Sequence, residues 1–127
     1  MNSEQTKAII EAYLNAYNSF DVEGMLNLLH EDVVFRNFAN GELNTETKGK
    51  EEFRQLAEQS TKIFSSRRQT ITDYQTNDDK VKIQIDYEGT LAVDLPNGLK
   101  SGETLQLKGK SVFEFKEGKI AVIEDYS

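Results

Sequence analysis

The sequence contains no cysteine and only one histidine, His30. Without cysteine the chain has no disulfide, no thiol nucleophile and no thiolate metal site. A single histidine also argues against a transition-metal site, whereas carboxylate oxygens leave a site for a hard cation open. We therefore expect no metal and no cofactor.

The chain also lacks an excess of positive charge and a long apolar run. Its 15 Lys and Arg residues stand against 22 Asp and Glu residues, for a net charge of -7. Nucleic-acid binding needs a basic face, so no nucleic-acid partner is expected. No apolar run could span a bilayer, and the amino terminus has no signal-peptide pattern. We expect a cytoplasmic protein without membrane contact, and a single domain over residues 1–127.

Alternate apolar residues between positions 81 and 95 predict a long central strand with one apolar and one polar face. Gly89 interrupts this row and predicts a bulge or bend. The strand needs a cover for its apolar face. The residues that form the row are Val81, Ile83, Ile85, Tyr87, Leu91, Val93 and Leu95.

The rest of the chain reads as helices first and strands afterwards. Helical spacing predicts a helix over 4–18 capped by Ser3, a short helix capped by Asp21 with Leu29 on its buried face, and a helix over 50–64. The predicted strands are 33–38, 69–75, 105–115 and 120–126. Residues 39–49 are predicted as a loop, and turns are predicted at Asn77-Asp78-Asp79 and Glu117-Gly118. This order indicates an α+β fold with a mostly antiparallel sheet.

Four segments together resemble the SnoaL-like proteins of the nuclear transport factor 2-like superfamily, which also holds ketosteroid isomerases and polyketide cyclases. The segments are Ala-Tyr-Leu-Asn-Ala-Tyr-Asn-Ser-Phe-Asp (12–21), Leu-Leu-His-Glu-Asp-Val-Val-Phe (28–35), Gly49 at a helix start, and Phe-Glu-Phe-Lys-Glu-Gly-Lys-Ile (113–120). The resemblance implies a cone-shaped α+β barrel with three N-terminal helices packed in a strongly curved, mixed, mostly antiparallel sheet. It also implies a small-molecule pocket inside the cone and a homodimer through the outer face of the sheet. We expect the ligand to be a small, mostly apolar molecule that bears an oxygen.

By the same resemblance, Tyr13 matches the tyrosine with which ketosteroid isomerases hold the substrate oxygen. The aspartate base of those enzymes aligns with Asn37, and their second acid aligns with Ser111. Asparagine takes no proton at neutral pH, so steroid isomerisation is not expected. A buried tyrosine can instead serve the core with its hydroxyl bonded elsewhere, and the residues leave both roles of Tyr13 open.

A late carboxylate is the candidate acid or base. If Glu117-Gly118 is a two-residue loop, Ser111 faces Glu124 and Phe113 faces Val122, so Glu124 lies by the pocket and Asp125 pairs with Lys110 outside. The resemblance to polyketide cyclases points to Asp125 instead. One residue of register reverses the two faces, so both carboxylates remain candidates. A solvated strand end with a surface ion pair and no acid–base role is the third alternative.

We expect a ligand-binding protein that is either an isomerase-, cyclase- or hydrolase-type enzyme or a non-catalytic binding or interaction module. The expected dimer face is an apolar row of Val112, Ala121 and Ile123. His30, Arg67 and Arg68 are expected at the surface. The residues expected to line the pocket are Tyr17, Phe35, Asn37, Tyr87, Ser111 and Phe113.

Overall fold

The computed structural model describes residues 2–77 and 80–127 and contains a strongly curved, six-stranded sheet with helices packed against it. The strand order is β2-β1-β6-β5-β4-β3, with β1 and β6 parallel and all other neighbours antiparallel. The predicted α+β cone is confirmed. The helices are α1 (Ser3–Asn18), α2 (Val22–Leu26) and α3 (Lys50–Thr61), and the strands are β1 (Leu29–Ala39), β2 (Glu42–Lys48), β3 (Phe64–Asn77), β4 (Lys80–Leu91), β5 (Thr104–Lys116) and β6 (Lys119–Tyr126).

The helix ends follow local capping chemistry. Asn2 caps α1, because its Oδ1 accepts the Gln5 backbone N–H at 2.8 Å while Gln5 Oε1 accepts the Asn2 N–H at 3.1 Å. The predicted Ser3 cap is therefore wrong by one residue. Asp21 caps α2 as predicted, whereas Leu29 belongs to β1 and not to this helix.

Strand β2 replaces the predicted loop over 39–49. Asn40 and Gly41 both adopt positive φ, 54° and 81°, which is the conformation that a tight hairpin turn requires. The chain therefore folds back directly, and β2 pairs antiparallel with β1. The Asn-Gly pair was the sequence signal for this hairpin.

The central strand ends earlier than predicted, at Leu91, and leaves Val93 outside with 43% of its surface exposed. The pairing of β4 is regular at Gly89, so the predicted bulge is wrong. A Cβ at Gly89 would lie 2.9 Å from the Phe64 ring, so this glycine makes room for that ring. Asp78 and Asp79 of the predicted turn lie outside the described residues.

The hydrophobic core joins α1 to the inner, concave face of the sheet. Ile10 on α1 and the inward residues Val33, Ile83 and Ile120 are fully buried. Two later side chains of α1, Tyr13 and Tyr17, line a cavity instead. Packing thus closes one part of the cone and leaves space in the other.

A β-bulge at Ala121 sets the face of every later residue in β6. Phe115 pairs with Ile120, but Glu114 pairs with Val122, so Ala121 has no partner. The inward positions become Ile123, which is 1% exposed, and Asp125. The regular register predicted for the hairpin is wrong beyond Ile120, and Ile123 does not belong to an outer apolar row.

The end of β6 lies unusually close to β5. A Cβ at Gly109 would lie 2.8 Å from the carbonyl oxygen of Tyr126. Only glycine therefore permits this approach without a shift of the backbone that directly follows Asp125.

Candidate functional site

The inner cavity, as we call it, has a volume of about 270 Å³ and lies between α1, α3 and the sheet. This size is close to the lower end of the range of small-molecule pockets. Its apolar wall consists of Met25, Phe35, Phe53, Leu56, Ala57 and Phe113, and its polar wall consists of Tyr13, Tyr17, Asn37, Thr45, Ser60, Arg67, Gln69, Ser111 and Asp125.

Four of the polar side chains form one cross-strand row. Thr45 pairs with Asn37, Asn37 pairs with Asp125, and Asp125 pairs with Ser111. Directly opposed residues share a face of the sheet, so the row crosses the inner wall over four neighbouring strands. Asn37 and Ser111 thus line the cavity next to Asp125.

Asp125 is the carboxylate of the inner cavity. The Ser111 hydroxyl donates a hydrogen bond to Asp125 Oδ1 at 2.6 Å. Burial raises the pKa of Asp125 from 3.8 to about 6, although the Ser111 hydrogen bond opposes this rise. A carboxyl group with such a pKa is ionised at neutral pH and is a stronger base than a solvated aspartate.

Glu124 points to the other face of the sheet, so its predicted place in the pocket is wrong. Its Oε2 lies 3.0 Å from Arg36 Nη1, and Arg36 Nε also binds Glu46 at 2.7 Å. The predicted pairing of Asp125 with Lys110 is wrong as well, because Lys110 opposes Tyr126. The bulge at Ala121 causes both differences.

Tyr13 is buried, with its ring edge against Phe113 at a centroid distance of 6.1 Å. Its hydroxyl makes no hydrogen bond to any described residue. Among the described residues, Thr47 Oγ1 is the only side-chain oxygen or nitrogen that is fully buried and has no hydrogen-bond partner. The unpartnered Tyr13 hydroxyl is therefore not fully buried, and the space beside it is the inner cavity, which Tyr13 lines. Burial raises the pKa of Tyr13 well above its ordinary value, and the Asp125 charge raises it further. The phenol is therefore a neutral hydrogen-bond donor.

Asn37 is held by the neighbouring hairpin strand. Its Nδ2 donates to Asn44 Oδ1 at 2.9 Å. Asn44 is the extra residue of a bulge in β2, because Asn37 pairs with Thr45 while Phe38 pairs with Leu43. The amide is thus positioned beside Asp125 but supplies no base.

A second cavity, which we call the adjoining groove, has a volume of about 360 Å³. It shares Tyr17, Asn37, Gln69 and Asp125 with the inner cavity. Tyr87 lines this groove and not the inner cavity, and its hydroxyl accepts a hydrogen bond from the Tyr17 hydroxyl at 3.1 Å. Burial raises the pKa of Tyr87, and the neighbouring Tyr17 phenol adds to the rise. Asp125 therefore lies where the two spaces meet.

Arg67 was expected at the surface, but it is 5% exposed and lines the inner cavity. Its Nε donates to the Tyr17 carbonyl at 2.8 Å, and its Nη1 donates to Ser60 Oγ at 2.9 Å. Arg67 and Gln69 are two positions apart in β3, so their side chains point to the same face of the sheet. This spacing was the sequence signal for an inward-facing Arg67. Arg68 is exposed, as predicted.

His30 lies outside both spaces, with Nε2 3.5 Å from Glu117 Oε1. Across residues 2–77 and 80–127, no three histidine, aspartate or glutamate side chains come together in a way that could hold a metal ion. None of the helices in these two ranges is long and apolar enough to cross a membrane.

The SnoaL-like domain family matches residues 10–123, and the chain therefore belongs to this family. A candidate polyketide cyclase from Xanthomonas campestris pv. campestris superposes with a TM-score of 0.80 at 22% identity, over 100% of this chain and 93% of that one. A Catenulispora acidiphila protein with a ketosteroid isomerase-like fold, in complex with trimethylamine, gives 0.78 at 18% identity over 94% and 84%. TerC co-crystallised with polyporic acid gives 0.76 at 19% identity over 95% and 89%. At these identities the likeness shows the fold alone. No curated protein matches the sequence.

Proposed function

We propose that the inner cavity binds a small, mostly apolar carbonyl compound and that the protein catalyses proton transfer at the carbon next to its carbonyl group. One observation carries this proposal. Asp125, a carboxylate with a raised pKa, and Tyr13, a neutral phenol without a protein partner, line the same cavity. A base and a hydrogen-bond donor for the carbonyl oxygen are the two groups that such a reaction needs.

In the proposed reaction, the Asp125 carboxylate removes a proton from the carbon beside the carbonyl. The electron pair of the broken C–H bond moves to the carbonyl oxygen, which becomes an enolate oxygen. Tyr13 donates its hydroxyl hydrogen bond to that oxygen, where the negative charge develops. Where the enolate is conjugated with a C=C bond, return of the proton from Asp125 to the far carbon of that system gives an isomerase. Attack of the enolate carbon on a second carbonyl carbon forms a C–C bond and an alkoxide, and transfer of the proton from Asp125 to this alkoxide completes a cyclase reaction.

The remaining wall residues position the reactants. Ser111 holds Asp125 through its hydrogen bond, and Asn37 offers its amide next to the carboxylate. Phe35 and Phe113 supply apolar surface. This chemistry needs no cofactor.

The Xanthomonas candidate polyketide cyclase, which has the same fold, supports a cyclase-type reaction. TerC, which has this fold and was co-crystallised with polyporic acid, supports a ligand that bears oxygen. We propose in addition that the protein works as a cytoplasmic homodimer. The outer face of the sheet would form the contact, since it carries the half-buried Val112 and Val122.

The test uses 2-tetralone in D₂O, with deuterium uptake beside the carbonyl followed by NMR. The wild-type protein should accelerate uptake, and Asp125→Asn should abolish the acceleration. Tyr13→Phe should slow it by about 10²-fold, as expected for loss of one donor to an enolate oxygen. Glu124→Gln, which changes the adjacent carboxylate on the outer face, is the matched control and should keep the wild-type rate.

Binding of 2-tetralone without accelerated uptake would contradict the catalytic proposal and would favour a non-catalytic ligand-binding module. Equal rates in the wild-type protein and Asp125→Asn would remove Asp125 as the base.

A further inference from the structure

Arg67 is a buried cation without an ion-pair partner among the described residues. No carboxylate of the described residues lies within ion-pair distance of its guanidinium, although Lys and Arg form eight ion pairs in that part of the chain. Buried charges are usually paired, because removal from water is costly. A group that is 95% hidden and unpaired therefore needs an explanation.

Protein contacts fix the guanidinium but use only part of it. Nε and Nη1 donate to the Tyr17 carbonyl and to Ser60 Oγ, whereas Nη2 makes no hydrogen bond to the described residues. Nη2 is not one of the fully buried nitrogen or oxygen atoms that lack a hydrogen-bond partner in the described residues, so part of its surface is accessible. Arg67 lines the inner cavity, so a ligand in that cavity can approach the guanidinium.

Two aromatic rings hold the guanidinium plane. Its central carbon lies 3.7 Å from the centroid of Tyr17 and 4.5 Å from that of Phe20. Phe20 has a φ of 61°, a strained conformation for a bulky residue, and this brings its ring into place after the end of α1. Stacking stabilises the cation without neutralising it and leaves its edge available for a planar anion.

The inner cavity therefore carries one cation and one carboxylate on its wall, Arg67 and Asp125, among the described residues. They form no ion pair with each other, so they are separate polar positions. Tyr13 stands within the electrostatic reach of both, since the Asp125 charge raises its pKa and the Arg67 charge lowers it.

We propose that Arg67 is an anion subsite and that the ligand of this cavity is an acid: an apolar molecule that bears a carboxylate or an acidic enol oxygen. The acidic oxygen binds Arg67 Nη2, while a second oxygen lies towards Tyr13 and Asp125. The part about the second oxygen rests on the proposed function, whereas the anion subsite stands on Arg67 alone.

The test compares 2-naphthoate with 2-naphthamide, which have similar shape but different charge, in NMR titrations at pH 7. We expect the wild-type protein to bind 2-naphthoate about tenfold more tightly, as a charge-assisted hydrogen bond predicts. Arg67→Gln should remove the preference. Arg68→Gln, which removes the exposed neighbouring charge, is the matched control and should keep it.

A direct readout protects the test against a variant that fails to fold. The Nε–H resonance of Arg67 in the wild-type protein should move on addition of 2-naphthoate and stay in place with 2-naphthamide. Equal affinities for the two probes, a preference that survives in Arg67→Gln, or an unmoved resonance would overturn the anion subsite. Binding of 2-tetralone with deuterium uptake would meanwhile leave the proposed function standing, so the two failures can be told apart.

Discussion

Glu124 and Asp125 are consecutive in the chain and face opposite sides of the sheet. Glu124 binds Arg36 on the outer face, whereas Asp125 accepts the Ser111 hydrogen bond on the wall of the inner cavity. One carboxylate is thus neutralised by a partner and the other is kept in a desolvated place with a raised pKa. Substitution of Glu124 is therefore a control for substitution of Asp125 in every experiment on acid–base behaviour.

Asp125→Asn should stabilise the protein at neutral pH. The folded pKa of about 6 lies above the ordinary 3.8, so the folded state binds this proton more tightly than the unfolded chain does. The resulting stability is fully present below pH 3.8 and is lost as the pH rises through 6. The free energy of unfolding of Asp125→Asn minus that of the wild type should therefore rise between pH 4 and pH 7 by up to about 3 kcal/mol.

Chemical denaturation at a series of pH values measures this difference. Glu124→Gln should lack the gain, because its carboxylate is paired. A difference that is flat between pH 4 and pH 7 would mean that Asp125 titrates as a solvated aspartate.

Tyr13→Phe should leave stability nearly unchanged, because the Tyr13 hydroxyl has no hydrogen-bond partner among the described residues. Tyr17→Phe is the matched comparison, since it removes the hydrogen bond to Tyr87 and should cost about 0.5–1.5 kcal/mol. Thermal melts of the two variants give the answer. If Tyr13→Phe loses as much stability as Tyr17→Phe, the hydroxyl serves the core and not a ligand.

Asn37→Asp should place a second carboxylate directly beside Asp125, because the two positions are partners in the β1–β6 ladder. Like charges in a partly desolvated site raise each other's pKa. We expect the new carboxylate to titrate well above ~3.9, the value of a free aspartate, and the two groups to titrate as a coupled pair. NMR titration of the side-chain carboxyl carbons measures both. Titration near ~3.9 would place position 37 in open solvent.

The dimer stays a prediction, with a revised contact. Val112 and Val122 are half-buried on the outer face. Sedimentation at micromolar concentration should give a dimer, and Val122→Glu should shift it towards the monomer. A wild-type protein that sediments as a monomer would exclude this assembly.

Local sequence patterns were sufficient to predict an α+β fold with a mostly antiparallel sheet, whereas the cone and the positions of Tyr13 and Asn37 followed from the resemblance to SnoaL-like proteins. Helical spacing predicted the helix that carries Tyr13, and strand alternation predicted the apolar face to which the buried Val81 and Ile83 belong. These inferences depend on period alone within one uninterrupted element, and they hold wherever the element is regular.

The rest depended on irregularities that periodicity cannot show. The bulge at Ala121 reversed the faces of Glu124 and Asp125, since one extra residue shifts the alternation of everything after it. Arg67 was missed for a different reason. A buried arginine is exceptional by composition, and only the contacts with Tyr17, Phe20 and Ser60 show how the fold accommodates it.

The contact between Gly109 and the Tyr126 carbonyl also affects how mutational data on this protein should be interpreted. Even a methyl group at position 109 would displace the backbone next to Asp125, although Gly109 itself contributes no chemical group. A substitution scan scored by activity alone would therefore rank Gly109 with the reacting residues. Loss of activity on substitution would therefore identify residues that hold the backbone beside Asp125 as readily as it identifies Asp125 itself.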